Sequence, residues 1–157
     1  PDAYDRQLDT AYRQLEKLGI HAVKTGYVGP IRRPEEHHHG QFMANHYQRV
    51  VEKAAQHKVM VNIHEPIEDT GLRRTWPNLV SREGVRGQEY NAWSEGNAPD
   101  HVTILPFTRM LSGPIDYTPG IFDTKFDQYN KDCDVHNTLA NQLALYVVLY
   151  SPVQMAP

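Results

Sequence analysis

The sequence predicts an α/β fold of parallel βα units, on three observations. Apolar residues recur at helical spacing in two stretches, Tyr4, Leu8, Ala11, Leu15 and Leu18, then Phe42, Met43, Val50, Val51, Ala54 and Ala55. Each stretch leads into a short β-branched run, residues 20–25 (IHAVKT) and 59–63 (VMVNI). Polar groups follow the runs at once, Thr25-Gly26 after the first and His64-Glu65 after the second. In a βα barrel the chemistry gathers at such carboxyl ends, and about 250 residues make a whole barrel. The expected architecture is a partial (β/α)8 TIM barrel, with residues 1–157 forming part of one domain.

Each element has its own warrant. Gly19 stands where the first helix should stop. Residues 26–30 (GYVGP) end the first strand, and a polar loop follows with Arg32, Arg33, Glu35, Glu36 and His37-His38-His39. Pro66 ends the second strand, because proline lacks the ladder N–H and restricts the residue before it. Residues 64–93 then read as a long loop carrying Gly71, Pro77, Gly84 and Gly87, with arginines at 73, 74, 82 and 86. A loop of that length in a compact domain is functional or disordered. The chain's 2 tryptophans, Trp76 and Trp93, both fall in it and argue for function. A third strand is expected at Val102 to Pro106 and a fourth strand or turn over residues 112–117 (SGPIDY), with Asp116 at its end. The last helix, residues 137–150, is apolar nearly all round and reads as buried.

Composition narrows the classes. A 39% hydrophobic and 22% charged chain fits a globular domain, and a net charge of -3 gives no basic excess for nucleic acid. One cysteine, Cys133, excludes an internal disulfide. It lies between Asp132 and Asp134, without the positive setting of an activated thiol. The longest apolar run, residues 143–150, is too short to span a bilayer. The chain opens at Pro1 and closes at Pro157 directly after an apolar helical run, so both ends read as cut.

The chemistry sits mostly in glutamates. Glu65, Glu83 and Glu89 could converge, and three close carboxylates repel unless one is protonated or a cation intervenes. Calcium suits such a set, being a hard ion with six to eight oxygen ligands. The bland alternative is that Arg73, Arg74, Arg82 and Arg86 neutralise these acids. Paired carboxylates also serve glycoside hydrolysis, and Trp76, Tyr90 and Trp93 offer faces for a sugar ring as readily as for core packing. His64 is placed to hydrogen-bond a substrate hydroxyl. Lys24 could do the same or pair structurally with an acid. The three adjacent histidines 37–39 read as a solvated loop, since they cannot all face one ion without strain.

Six runs then carry a resemblance: VKTGYVG (23–29), HHHGQFM (37–43), NIHEPIEDTGLRRTWPN (62–78), SREGVRGQEYNAW (81–93), ILPFTRMLSGPIDYTPG (104–120) and LALYVVLYSPVQM (143–155). Together they resemble glycoside hydrolase family 97, the calcium-dependent α-glucosidases and α-galactosidases of bacteria. The resemblance implies a catalytic (β/α)8 barrel between two β domains, of which this chain would be the middle to late strands. It implies a periplasmic enzyme acting on α-linked gluco-oligosaccharides. Glu89 matches its general acid and Glu65 its general base. Glu65, Glu83 and Glu89 match Ca2+ ligands, and His64 and Lys24 match substrate contacts. Retaining members resemble VKxDF at the first strand, with aspartate as nucleophile, where this chain has Lys24-Thr25-Gly26-Tyr27. Glycine there frees space on that face and implies the inverting branch, whose carboxyl groups stand about 6.5–9.5 Å apart with water between them. A second base would lie upstream of Pro1. Two alternatives stand beside this: a retaining α-galactosidase of the same family, or a sugar- or calcium-binding chain without turnover.

Overall fold

The computed structural model describes every residue except Val28, Pro30 and Arg32. The expected roles of Val28 and Pro30 in ending the first strand, and of Arg32 in the polar loop, lie outside the described residues. The chain divides into two compact units, residues 1–82 and 83–157.

The first unit alternates helices and strands: α1 (Asp2–Lys17), β1 (Ala22–Thr25), α2 (Gln41–Gln56), β2 (Met60–Ile63), α3 (Leu72–Thr75) and β3 (Leu79–Arg82). The three strands form one parallel sheet in the order β1-β2-β3. Helix α1 buries Leu8 and Tyr12, with Tyr4 and Leu15 partly covered, as the helical spacing predicts. Asp2 and Asp5 in its first turn and Lys17 in its last complement the helix dipole. It stops at Leu18, followed by Gly19 at φ +70°, a backbone that glycine adopts without a Cβ clash. Helix α2 buries Met43, His46, Tyr47, Val50, Val51 and Ala54 along one stripe. On β2, Val61, Asn62 and Ile63 are all buried, as befits the central strand of a parallel sheet.

Strand register decides which residues meet at the carboxyl edge of the sheet. Thr25 pairs with Ile63, so Gly26 and His64 leave neighbouring parallel strands side by side. Between β2 and β3 the register slips after Val61, which opposes Leu79 while Asn62 opposes Ser81.

The second unit is built from short 3-10 and helical turns: a 3-10 helix at Gln88–Ala92, α4 (His101–Ile104), 3-10 turns at Leu105–Phe107 and Arg109–Ser112, and α5 (Leu139–Val148). Its core is Val102, Leu105, Ile115, Tyr117, Leu145 and Leu149. Among the described residues no helix is long and apolar enough to cross a membrane.

Four expectations are corrected. Residues 64–93 are not one loop, because α3, β3 and a 3-10 helix lie within them. The segment 102–106 is helical rather than a strand, since a Val-Thr-Ile-Leu run fits either period and Thr103 N–H turns back to the Asp100 carbonyl. Of the strand or turn expected over residues 112–117, the turn forms and the strand does not. Gly113 turns the chain at φ +113°, Ile115 N–H reaches the Tyr150 carbonyl, and Asp116 therefore ends no strand. Helix α5 buries only Gln142 and Leu145, while Leu143 and Val147 are 59% and 80% exposed.

Met43 is fully buried in the first core. Met43→Ala should cost about 2–5 kcal/mol in urea denaturation. The exposed Leu18→Ala should stay within about 0.5 kcal/mol. Equal effects would contradict this assignment of the core.

Candidate active site

The residue after β2 and His64 is backbone-constrained. Glu65 sits at φ +44°, one of three described non-glycine residues with positive φ, beside Lys58 and Thr118. A left-handed backbone costs a side-chain-bearing residue about 1–2 kcal/mol, and such strain gathers at functional positions. The Tyr27 N–H donates to Glu65 Oε2 at 2.9 Å. The Glu65 carbonyl accepts from Tyr47 Oη–H at 2.5 Å and from His38 Nε2–H at 2.6 Å.

Gly26 explains where the carboxylate lies. A Cβ on Gly26 would stand 2.6 Å from Glu65 Oε2, 2.8 Å from His64 Cβ and 2.9 Å from the His64 carbonyl oxygen. The carboxylate could swing aside, but the His64 backbone could not do so without moving the end of β2. So the space expected to be free beside Gly26 is filled by Glu65. His64 is itself buried, its N–H donating to the Thr25 carbonyl at 2.8 Å. Lys24 is exposed on β1.

Behind Tyr27 runs a part-buried polar chain through the buried His46. Asp5 Oδ1 can only accept, so His46 Nδ1 carries a hydrogen and donates across 2.6 Å. Burial holds the His46 imidazole below its ordinary value, with Asp5 opposing that shift. Burial pushes the Tyr27 phenol up, so Tyr27 Oη–H donates to the His46 Nε2 lone pair. Tyr47 is pushed up as well, by burial first and by the Glu65 charge second, and stays a donor.

In the second unit, Glu83 is buried. Its carbonyl accepts from Arg109 Nε at 3.0 Å, and its Oε1 lies 3.3 Å from where a Cβ on Gly87 would be. Glu89 is exposed on the first turn of the Gln88–Ala92 helix. That helix is anchored by buried polar bonds rather than apolar packing. Gln88 Nε2 donates to Gln142 Oε1 at 2.8 Å, and Gln88 N–H donates to the Tyr117 carbonyl. Arg86 lies over the Tyr90 ring, whose other neighbour is Trp93 at 4.3 Å between centroids.

The structure thus gathers Gly26, Tyr27, His64 and Glu65 in the first unit, with Glu83 and Glu89 in the second. Among the described residues no three of His, Cys, Asp and Glu are grouped to hold a metal. The loop arginines have other partners too: Arg73 and Arg82 reach Asp69, and Arg86 reaches Glu95. Sequence reasoning missed His38, His46 and Tyr47. His46 and Tyr47 left a signal, as polar atoms inside the apolar stripe of α2. His38 left none, since only the fold brings it to Glu65.

Comparison with known proteins places the chain among sugar-cleaving enzymes. The family model Glycoside hydrolase 97 matches residues 1–85, more than half the chain. The chain belongs to glycoside hydrolase family 97. Glu65 and Glu83 fall inside the matched segment and Glu89 just beyond it. A family 97 enzyme from Pseudoalteromonas sp. strain K8, solved in complex with acarbose, is 53% identical over 98% of this chain and 25% of its own, with a TM-score of 0.88. The same enzyme as a variant in complex with panose is 52% identical at a TM-score of 0.88. A retaining alpha-galactosidase of Bacteroides thetaiotaomicron is 29% identical over 98% of this chain and 23% of its own length. The chain therefore spans about a quarter of the length of these relatives.

A buried imidazole held below its ordinary value binds its proton more readily in the unfolded chain. The stability from neutral His46 is thus complete above about pH 6.5 and is lost as pH falls through the lowered folded value. Urea midpoints between about pH 7.5 and about pH 5.5 should fall with acid, and His46→Gln should flatten that slope. An unchanged slope would contradict the assignment.

Proposed function

We propose that the whole protein is an inverting α-glucosidase acting on malto-oligosaccharides, and that β1–β3 are an arc of its (β/α)8 barrel. One observation carries this reading: the Cβ space of Gly26 is closed by Glu65 and by the His64 carbonyl. A nucleophilic aspartate at that position would need the end of β2 rebuilt. Without it, attack on the anomeric carbon falls to water. Parallel strands in sequential order, with Gly26 and Glu65 at their carboxyl ends, fit the barrel reading.

In the proposed reaction Glu89 is the general acid, giving its proton to the leaving glycosidic oxygen. Glu65 is the general base, taking a proton from the attacking water. The Tyr27 N–H aims the Glu65 carboxylate, and buried His64 is the candidate contact to a substrate hydroxyl, with exposed Lys24 on the neighbouring strand as a second. The greater identity to an enzyme solved with acarbose and panose, 53% against 29% for the retaining alpha-galactosidase, supports an α-glucoside substrate. That galactosidase name is also the observation favouring a second reading, a retaining α-galactosidase.

Calcium enters this proposal through the resemblance, with Glu65, Glu83 and Glu89 as its ligands. Carboxylate oxygens suit a hard cation, and three glutamates offer at most about six of its six to eight ligands, but among the described residues no three such groups stand together. When bound, the ion would supply positive charge that favours the ionised form of Glu65, the form a general base requires. Dialysis against chelator should lower the melting temperature, and calcium should restore it. Indifference to both would remove calcium from the proposal.

Kinetics separate the roles. Glu65→Gln and Glu89→Gln should each lower kcat/KM on maltose by about 10²–10⁴-fold. Glu89→Gln should be largely spared on an aryl α-glucoside, whose leaving group needs no proton. Cleavage of an aryl α-galactoside in preference to maltose would favour the second reading.

A further inference from the structure

The peptide joining Glu65 to Pro66 has one hydrogen-bonding handle. Proline carries no N–H, so this peptide can be hydrogen-bonded only through the Glu65 carbonyl. That carbonyl has two lone pairs, and two donors from separate segments approach it. His38 Nε2 comes from the turn ahead of α2, at 2.6 Å, and Tyr47 Oη from the buried face of α2, at 2.5 Å. The two rings also meet edge to face, with centroids 6.4 Å apart. On the other side of the residue, Tyr27 N–H holds the carboxylate beside Gly26. Between these holds Glu65 keeps its left-handed backbone, φ +44°.

We propose that His38 and Tyr47 are positioning residues for Glu65, fixing its carbonyl so that the strained backbone delivers the carboxylate into the space beside Gly26. The inference rests on the reading of Glu65 as general base. Neither residue touches the substrate in this role; each acts through the 65–66 peptide. With either donor gone, the carbonyl keeps one hold instead of two, Glu65 can relax toward negative φ, and its carboxylate drifts from the Tyr27 N–H. Imidazole donates from Nε2 in its neutral Nε2–H form and in its cationic form alike, so the hold does not require a charged His38. Tyr47, pushed up by burial, remains a phenol that donates.

The test measures kcat and KM on maltose for the whole protein carrying His38→Leu, His38→Gln, Tyr47→Phe or Glu65→Gln, with a thermal melt of each. His38→Leu and Tyr47→Phe should lower kcat by about ten- to hundredfold, the scale of a catalytic group displaced by about an ångström. KM should move by less than about twofold, because the lost interaction acts on the chemical step. His38→Gln keeps an N–H donor and should recover most of the lost rate. If Glu65→Gln abolishes turnover while His38→Leu and Tyr47→Phe keep wild-type kcat, the positioning role is overturned and the base assignment survives. If His38→Gln, melting like wild type, is as slow as His38→Leu, the hydrogen bond is not the cause and the proposal falls. If Glu65→Gln keeps wild-type kcat, the base assignment fails and the positioning role fails with it.

Discussion

One steric constraint organises this chain: the ends of β1 and β2 leave room for one acidic side chain, not two. Parallel pairing of Thr25 with Ile63 brings residue 26 against residues 64 and 65. A side chain at 26 would collide with the His64 carbonyl, and glycine lets the Glu65 carboxylate take that place under the Tyr27 amide. The rest of the first unit serves that arrangement. Helix α2 brings Tyr47 to the Glu65 carbonyl, the loop before it brings His38, and the Asp5–His46–Tyr27 chain fixes the segment from which the amide points. The proposed choice of water over a protein nucleophile comes from this close backbone approach.

The second unit reaches order by a different route. Its core is small, and polar bonds do much of the fixing. Arg109 ties the Glu83 carbonyl to the Ser112–Pro114 turn, and Asn97 ties Gly87 to Tyr117. Gln142 accepts from both Gln88 and the Gly120 N–H, so it joins α5 to the short helix carrying Glu89. Buried networks of this kind are costly if half-satisfied and specific when complete. They fix the short helix that carries the exposed Glu89, a support suited to its proposed role as proton donor.

The elements legible in the sequence were those whose pattern has one physical reading. Tyr4 to Leu18 and Phe42 to Ala55 could only be amphipathic helices, and the IHAVKT and VMVNI runs gave β1 and β2. Strand β3 was hidden because Leu79-Val80-Ser81-Arg82 is four residues long and comes soon after Pro77. Residues 102–106 fit a strand or a helix equally, and the fold chose helix. Helix α5 looked buried because periodicity reports an apolar circumference, whereas burial depends on what is packed against it. At the site, Glu65 and Gly26 were legible as residues, but their mutual exclusion was not. It depends on the register between β1 and β2 and on a backbone carbonyl, neither of which a side-chain pattern encodes. His38 lies 27 positions from the carbonyl it binds, beyond any local rule.

The most direct test of the central claim is the stereochemistry of the first turnover. Anomer-resolved NMR of glucose released by the whole protein from maltotriose reports whether water or a protein carboxylate attacks the anomeric carbon. With Gly26 closed against a nucleophile, the first product should be β-glucose, which then mutarotates. Initial release of α-glucose would mean a covalent glycosyl-enzyme formed, and the steric account of Gly26 and Glu65 would be wrong.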